Sequence, residues 1–430
     1  MQRENTERRL LRSLQVSNAS DAVGREFIDS SIAIIAISLL GFSTTQIGIL
    51  DFLESGAALF LALPIGLLVD HYRPQTILTI SLALKVLLGT LLCLGLTFEI
   101  TSPVFFMALV FFLGISAIAS EGAQTSVVPF LTGSSSQIET AISRMAMADS
   151  IAGVIAPAAA GFTLAFLGPT PATGAAALFF VLALVFAWRI LQRLTPIKST
   201  THHASAPHVA DDRSDESELE NDTRTLSQKL TDGFRILGRN RFLLGAVCLI
   251  SAGNIGLALG DSMVNVVILR ILDLGMPFFG ILGTVSAIAG ILAASLAPAI
   301  VKSVPLRTLY ISSSIIQALV ACLPLLALMI PNWAHILFLV QSASWAFTLT
   351  VANIAGFSYI AKVVDKKFLG RASAAMRMLT MGTVPFAALL GGVLADIGAI
   401  TVPLIVWPLL TATAVTVYIF LTRPAASGRA

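Results

Sequence analysis

The sequence predicts an all-α membrane protein of twelve transmembrane helices in two pseudo-symmetric six-helix bundles. Three observations predict it. The chain of 430 residues is 56% hydrophobic and only 12% charged, about half the charge of a soluble domain, with a mean hydropathy of +0.87. Twelve stretches approach the roughly 20 apolar residues that a crossing helix needs. One long polar stretch, Gln192 to Arg241, separates six of them from the other six.

The first six run from Asn18 to Leu40, Thr45 to Val69, Thr76 to Leu96, Pro103 to Ser120, Met145 to Leu167 and Pro171 to Leu191. The second six run from Phe242 to Leu269, Met276 to Ile300, Leu306 to Ile330, Asn332 to Tyr359, Ala372 to Ala395 and Thr401 to Leu421. Nothing alternates as a barrel strand would, and helices are the other way to satisfy backbone groups in hydrocarbon. The chain therefore divides into an N-terminal segment (1–17), a first bundle (18–191), a linker (192–241), a second bundle (242–421) and a tail (422–430). The acidic middle of the linker, Asp211 to Asp222, cannot bury enough apolar surface to fold. Leu226, Leu230, Phe234 and Leu237 after it have helical spacing suited to a membrane surface. Met1 to Leu14 lacks the apolar core of a cleavable signal peptide.

Arginine and lysine fix the expected orientation. Arg3, Arg8, Arg9, Arg12, Arg73, Arg144, the linker, Lys302, Arg307, the group Lys362, Lys366, Lys367 and Arg371, and Arg423 and Arg429 fall on one side. The opposite connectors hold only Arg270, beside Asp273. The positive-inside rule then puts both termini and the linker in the cytoplasm of a cell with an inner membrane. Cys93, Cys248 and Cys322 lie in apolar runs and read as small buried hydrophobes, with no disulfide framework.

Several motifs resemble the major facilitator superfamily. Gly66-Leu-Leu-Val-Asp70-His-Tyr-Arg73 is similar to that family's loop signature after the second helix. Gly153, Pro157 and Gly161 form a degenerate version of the antiporter motif of its exporters. Leu230 to Phe242, and Phe368 to Ala375 followed by Pro385, Gly391 and Gly392, resemble the macrolide and siderophore exporter branch. The sequence departs from the pattern at His71, Pro74 and Gln75, and the fourth helix has no intramembrane Arg between Leu113 and Ser120. Pro157 and Gly161 in the fifth helix are faintly repeated by Pro385 and Gly391 in the eleventh, as repeats in transporter folds lead one to expect. The resemblance implies that Asp70 and Arg73, with Gly66, latch the halves near Arg371. It also implies that the first, fourth, seventh and tenth helices line a central cavity.

Ionisable residues inside a membrane cost about 2.5–3.5 kcal/mol each on insertion scales, so each is a candidate for function. At about 1.5 Å per residue, Asp29 lies about 16 Å deep, Lys85 about 15 Å and Glu54 about 14 Å from their points of insertion. All three reach the middle of a core about 30 Å thick. They are expected to form one polar cluster whose surplus negative charge lets a carboxyl bind and release a proton; the alternative is a static ion pair that locks helix packing. Asp149 is the second candidate for a proton site. Asp21, Arg25 and Asp29 are spaced as a ladder on one helix face. Asp51 shares a face with Glu54 and is expected near the outer interface.

Asn254, Gln341, Trp345 and Asn353 are the candidate substrate contacts, with Phe105, Phe106, Phe111 and Phe112 as an aromatic wall suited to an amphipathic molecule. No enzyme constellation or phosphate-binding loop is present, so no catalytic residue, metal, cofactor or ATP is expected. His202, His203 and His208 lie in the solvated linker. The expected function is proton-coupled export of an amphipathic small molecule by a monomer in the lipid bilayer, with no nucleic-acid partner. A lysophospholipid or lipid-precursor flippase, or a non-transporting membrane sensor, is the alternative.

Overall fold

A computed structural model describes residues 2–100, 102–132, 134–193, 241–363 and 375–422, together with residues 235 and 238. Most of the linker, Arg371 and the C-terminal tail after residue 422 lie outside the described residues. The helices are α1 (Gln2–Ile34), α2 (Thr44–His71), α3 (Pro74–Thr97), α4 (Pro103–Leu131), α5 (Ser135–Phe166) and α6 (Pro169–Arg193) in the first half. The second half contains α7 (Arg241–Val266), α8 (Met276–Ser303), α9 (Leu306–Val320), α10 (Leu323–Met329), α11 (Ala334–Val363), α12 (Val384–Ile397) and α13 (Thr401–Leu421). Residues 375–381 are helical and turn at Gly382 into α12.

Among the described residues, eleven helical spans are long and apolar enough to cross a bilayer. The twelfth element, α1, fails that test because Asp21, Arg25, Glu26 and Asp29 fall within it. It nevertheless packs along α5 and α6. Gly24 permits this approach, because a Cβ there would stand 2.7 Å from the ring of Phe180. Residues before Asn18 continue the same helix, with Leu10 and Leu14 buried against the first bundle. The ninth span is two helices, α9 and α10. Pro324 in the first turn of α10 has no N–H to offer the preceding helix, so the chain turns at Ala321 and Cys322.

In the first half α3 packs on α4 and α6, and α2 on α4. In the second, α7 packs on α12 and α13, α8 on α11, and α9 on α11 and α13. The halves meet where α2 crosses α12 and where α5 crosses α8. Both crossings bring backbone against backbone. A Cβ at Gly48 would stand 3.1 Å from Gly392 Cα, and one at Gly280 would stand 3.0 Å from Gly161 Cα.

A constant offset relates the two halves over a longer run than the sequence pattern suggested. Both α1 and α7 end in a π-helical turn, Ile35–Leu39 and Val267–Ile271. Leu40 N–H donates to the Ile35 carbonyl as Leu272 N–H donates to that of Val267, each at 2.9 Å. A left-handed residue follows at the same step, Gly41 at φ 64° and Asp273 at φ 46°. The same offset pairs Gly24 with Gly256, which lies against Trp407. It also pairs Asp29-Ser30 with Asp261-Ser262, and Lys85 with Gln317. Cys248 and Cys322 are exposed rather than buried, and Cys93 is half-buried. Cys93 turns its thiol to the Thr170 carbonyl of α6, Cys322 lies in the turn between α9 and α10, and periodicity in a uniformly apolar helix does not reveal the outward face that Cys248 takes.

Candidate functional site: acids at the centre of two bundles

The buried lysine of α3 reaches toward α1. Lys85 Nζ donates to Asp21 Oδ1 at 2.6 Å and lies 2.8 Å from Ser120 Oγ, with the Phe180 ring 5.5 Å away. Ser120 Oγ donates to Asp21 Oδ2 at 3.1 Å, and Gln124 Nε2 donates to the same oxygen at 3.2 Å. Every charge in this group has an opposite charge or dipole against it, as burial requires. The partner of Lys85 is therefore Asp21, not Asp29 or Glu54. Depth arithmetic gives a height along each helix but not the direction a side chain faces, and a lysine stem spans more than a helical turn.

The ladder on α1 does not close on itself. Asp21 is turned to α3 and α4, while Arg25 Nη1 lies 3.9 Å from Glu121 Oε2 of α4. Asp149 accepts from Asn18 Nδ2 at 3.0 Å in the α1–α5 contact. That position is close to Arg25 and Glu26.

Asp29 and Glu54 are left without such partners. Among the described residues neither accepts a hydrogen bond or forms an ion pair. Both line a cavity of about 180 Å3, with Lys85 and Arg25 also in its wall. Glu54 lines a second, larger cavity of about 680 Å3 between the halves, together with Asp51, Asn254, Asp261, Trp345 and Asn353. A third, of about 360 Å3, is walled by Asp261, Gln341, Trp345, Trp407, Pro157 and Gly161, among others. The four candidate substrate contacts thus divide between the two larger spaces, and Trp345 lines both. Pro157 and Gly161 stand where α5 meets α8, whereas Gly153 faces Glu26.

Two expectations are corrected. Asp51 does not sit at the outer interface: it accepts a hydrogen bond from Ser262 Oγ across the two halves. The phenylalanines of α4 line none of these three cavities. Phe106 packs edge-on against Phe42 in the core, and Phe112 is exposed. The side of α4 toward Asp29 and Glu54 is instead Val110, Leu113, Gly114, Ala117 and Ile118. The aromatic wall comes from Phe279, Phe338, Trp345 and Trp407 of the second half. Of the latch residues, Gly66 and Arg73 lie in the α2–α3 corner, the Asp70 side chain is not described, and Arg371 lies outside the described residues.

The second half also supplies a tie between the halves that residue spacing does not reveal. Arg270 donates through Nη2 to the carbonyls of Ile37 at 3.0 Å and Phe42 at 2.8 Å, joining one π turn to the other. At the same end Asp396 of α12 accepts from Thr44 Oγ1, and from Thr45 N–H at 3.0 Å at the start of α2. An acid at a helix N-terminus is favoured there. The halves are closed at this end, and the large cavity extends along α7 from Asn265 back to Leu249, toward the other. Arg270→Ala removes charged hydrogen bonds worth about 1.5–3 kcal/mol, so the closed arrangement is expected to lose about tenfold or more in population. Spin labels at Leu39→Cys and Ile271→Cys, both exposed positions, check this in a background with Cys93, Cys248 and Cys322 replaced by serine. A longer distance should grow when Arg270 is removed.

A sequence model of the major facilitator superfamily matches residues 17–350. No curated protein matches the chain in sequence. Among solved structures, the nucleoside transporter NupG is similar with a TM-score of 0.64 at 14% identity, covering 97% of this chain and 100% of that one. The POT family transporter PepTSo has a TM-score of 0.69 at 12% identity over 96% and 97%. A bacterial metal transporter has 0.64 at 13% over 97% and 98%. These likenesses concern the fold, and the family match spans most of the chain. With its all-α membrane architecture, the chain belongs to the major facilitator superfamily and is a transporter rather than an enzyme.

Proposed function

We propose that the chain is a proton-coupled secondary transporter that exports an amphipathic small molecule by alternating access, in the manner of the macrolide and siderophore exporters that its motifs resemble. The observation that carries this reading is the pair Asp29 and Glu54. Two carboxyls face one small cavity at mid-membrane depth, where among the described residues neither accepts a hydrogen bond or forms an ion pair and the bases in the same wall, Lys85 and Arg25, pair with Asp21 and Glu121; an intramembrane acid held so is a candidate for function. Glu54 also faces the large cavity, so its charge is felt by whatever occupies that space. Substrate and proton are then linked through one group, and differential affinity between the two end states does the work.

The distribution of Lys and Arg supports an orientation with both termini on the cytoplasmic side of an inner membrane. The end tied by Arg270 is then the outer one, and the structure corresponds to an inward-facing state. A single chain is sufficient for the cycle, since each half supplies one wall of the cavity.

The test is proton movement driven by substrate in energised inverted vesicles. Addition of a transported compound should partly collapse the pH gradient, and vesicles lacking the protein should not respond. A panel in which compounds move through the protein with no accompanying protons would remove the coupling from this reading.

A further inference from the structure

The two halves carry the same acid in the same place and differ in the bases around it. Asp29 and Asp261 occupy equivalent positions on α1 and α7, each the same interval before its π turn, and each is followed by serine. The cavity of Asp29 contains two bases, Lys85 and Arg25. At the equivalent positions the second half has Gln317 and Leu257. Gln317 lines the large cavity and Leu257 lines both larger cavities. Among the described residues, neither of these cavities has Lys, Arg or His in its wall, whereas Asp51, Glu54 and Asp261 line the large one and Asp261 the other.

Asp51 is occupied by the hydroxyl of Ser262, and Glu54 borders the cavity of Asp29. Of the three acids, Asp261 alone lines both larger spaces, and among the described residues it accepts no hydrogen bond and forms no ion pair. Beside it, Trp345 and Trp407 meet nearly edge to face, with centroids 5.2 Å apart and planes at 67°. The indole nitrogen of Trp407 is buried without a partner, so that ring is held by packing against Gly256 and Gly260 rather than by a hydrogen bond. A carboxylate beside indole rings, in a space with no fixed base, attracts a cation through both charge and ring quadrupole.

We infer that the substrate is a lipophilic organic cation whose positive charge sits against Asp261 and takes the place of the base that the first half carries and the second lacks. This rests on the transport reading for its consequence, but the binding step is independent of it. A neutral or anionic molecule of the same shape leaves the acids uncompensated and is excluded.

The experiment uses the purified full chain and two probes of nearly identical shape and opposite charge, tetraphenylphosphonium and tetraphenylborate. Binding is followed by quenching of tryptophan fluorescence, without any proton gradient. Tetraphenylphosphonium is expected to saturate the protein and tetraphenylborate is not. This comparison needs no variant. Asp261→Asn should weaken phosphonium binding by about tenfold or more. Gln317→Lys, which restores a base to the cavity, should abolish it, and Gln317→Met should preserve it. Equal saturation by the borate, or phosphonium affinity unchanged in a folded Asp261→Asn protein, overturns the inference. Failures are distinguishable: phosphonium bound through Asp261 but moved without protons removes the coupling and leaves this inference standing. Proton-coupled export of an uncharged compound that survives Asp261→Asn does the reverse.

Discussion

Replacing Lys85 with Met is expected to destabilise the protein by about 3–5 kcal/mol, the largest stability effect of any single change considered. The substitution keeps the apolar stem but leaves Asp21 as an uncompensated buried charge, since Ser120 and Gln124 donate hydrogen bonds without neutralising it. Lys85 is 2% exposed, so water cannot replace the lost partner. Thermal unfolding in detergent should show the loss directly. Combining Lys85→Met with Asp21→Asn should recover most of it, because the pair is then removed together. If Lys85→Met alone melts as the parent does, the ion pair does not hold α1, α3 and α4 together.

Glu54→Gln is expected to abolish uphill, gradient-driven transport, lowering it by about tenfold or more, while exchange of labelled for unlabelled substrate across the membrane continues. The amide keeps the size and most of the polarity of the side chain but holds no exchangeable charge. Substrate should therefore still bind and cross, with nothing to couple its crossing to protons. Asp29→Asn should behave in the same way if the two carboxyls act as one unit. Coupled export that persists in both variants would show that the proton is carried elsewhere, and Asp149 would be the next residue to change.

Much of the architecture was legible because bilayer thickness fixes helix length, and hydrophobic runs register that length directly. The element hardest to read was α1. Its charges lower its hydropathy, yet Lys85, Gln124 and Asn18 answer Asp21 and Asp149, so the helix packs where composition alone would exclude it. The height of Asp29 and Glu54 was also legible, because rise per residue is constant. That Lys85, which shares their cavity, pairs with Asp21 and not with them was not legible, because it depends on how the helices are rotated about their axes, and in spans that are apolar all round the sequence carries little rotational signal. Arg270 illustrates a different gap. It stood out as the only base on its side, but its partners are backbone carbonyls in and just after the first π turn, and side-chain spacing cannot point to a carbonyl. The relation between Asp29 and Asp261 was present in the residues throughout. It became visible once the matching π turns supplied the alignment.

The paired glycines have a mechanical consequence. Gly48 on Gly392 and Gly161 on Gly280 are contacts between bare backbones, while Phe52 and Phe60 meet Phe386 farther along the first crossing. At the glycines themselves the surfaces act as smooth bearings: one half can roll over the other there without a rotamer having to jump. The barrier to switching is then set at the rim, by a few detachable polar clasps around Arg270 and Asp396, so the speed of the cycle can be tuned there without touching the cavity that selects the cargo.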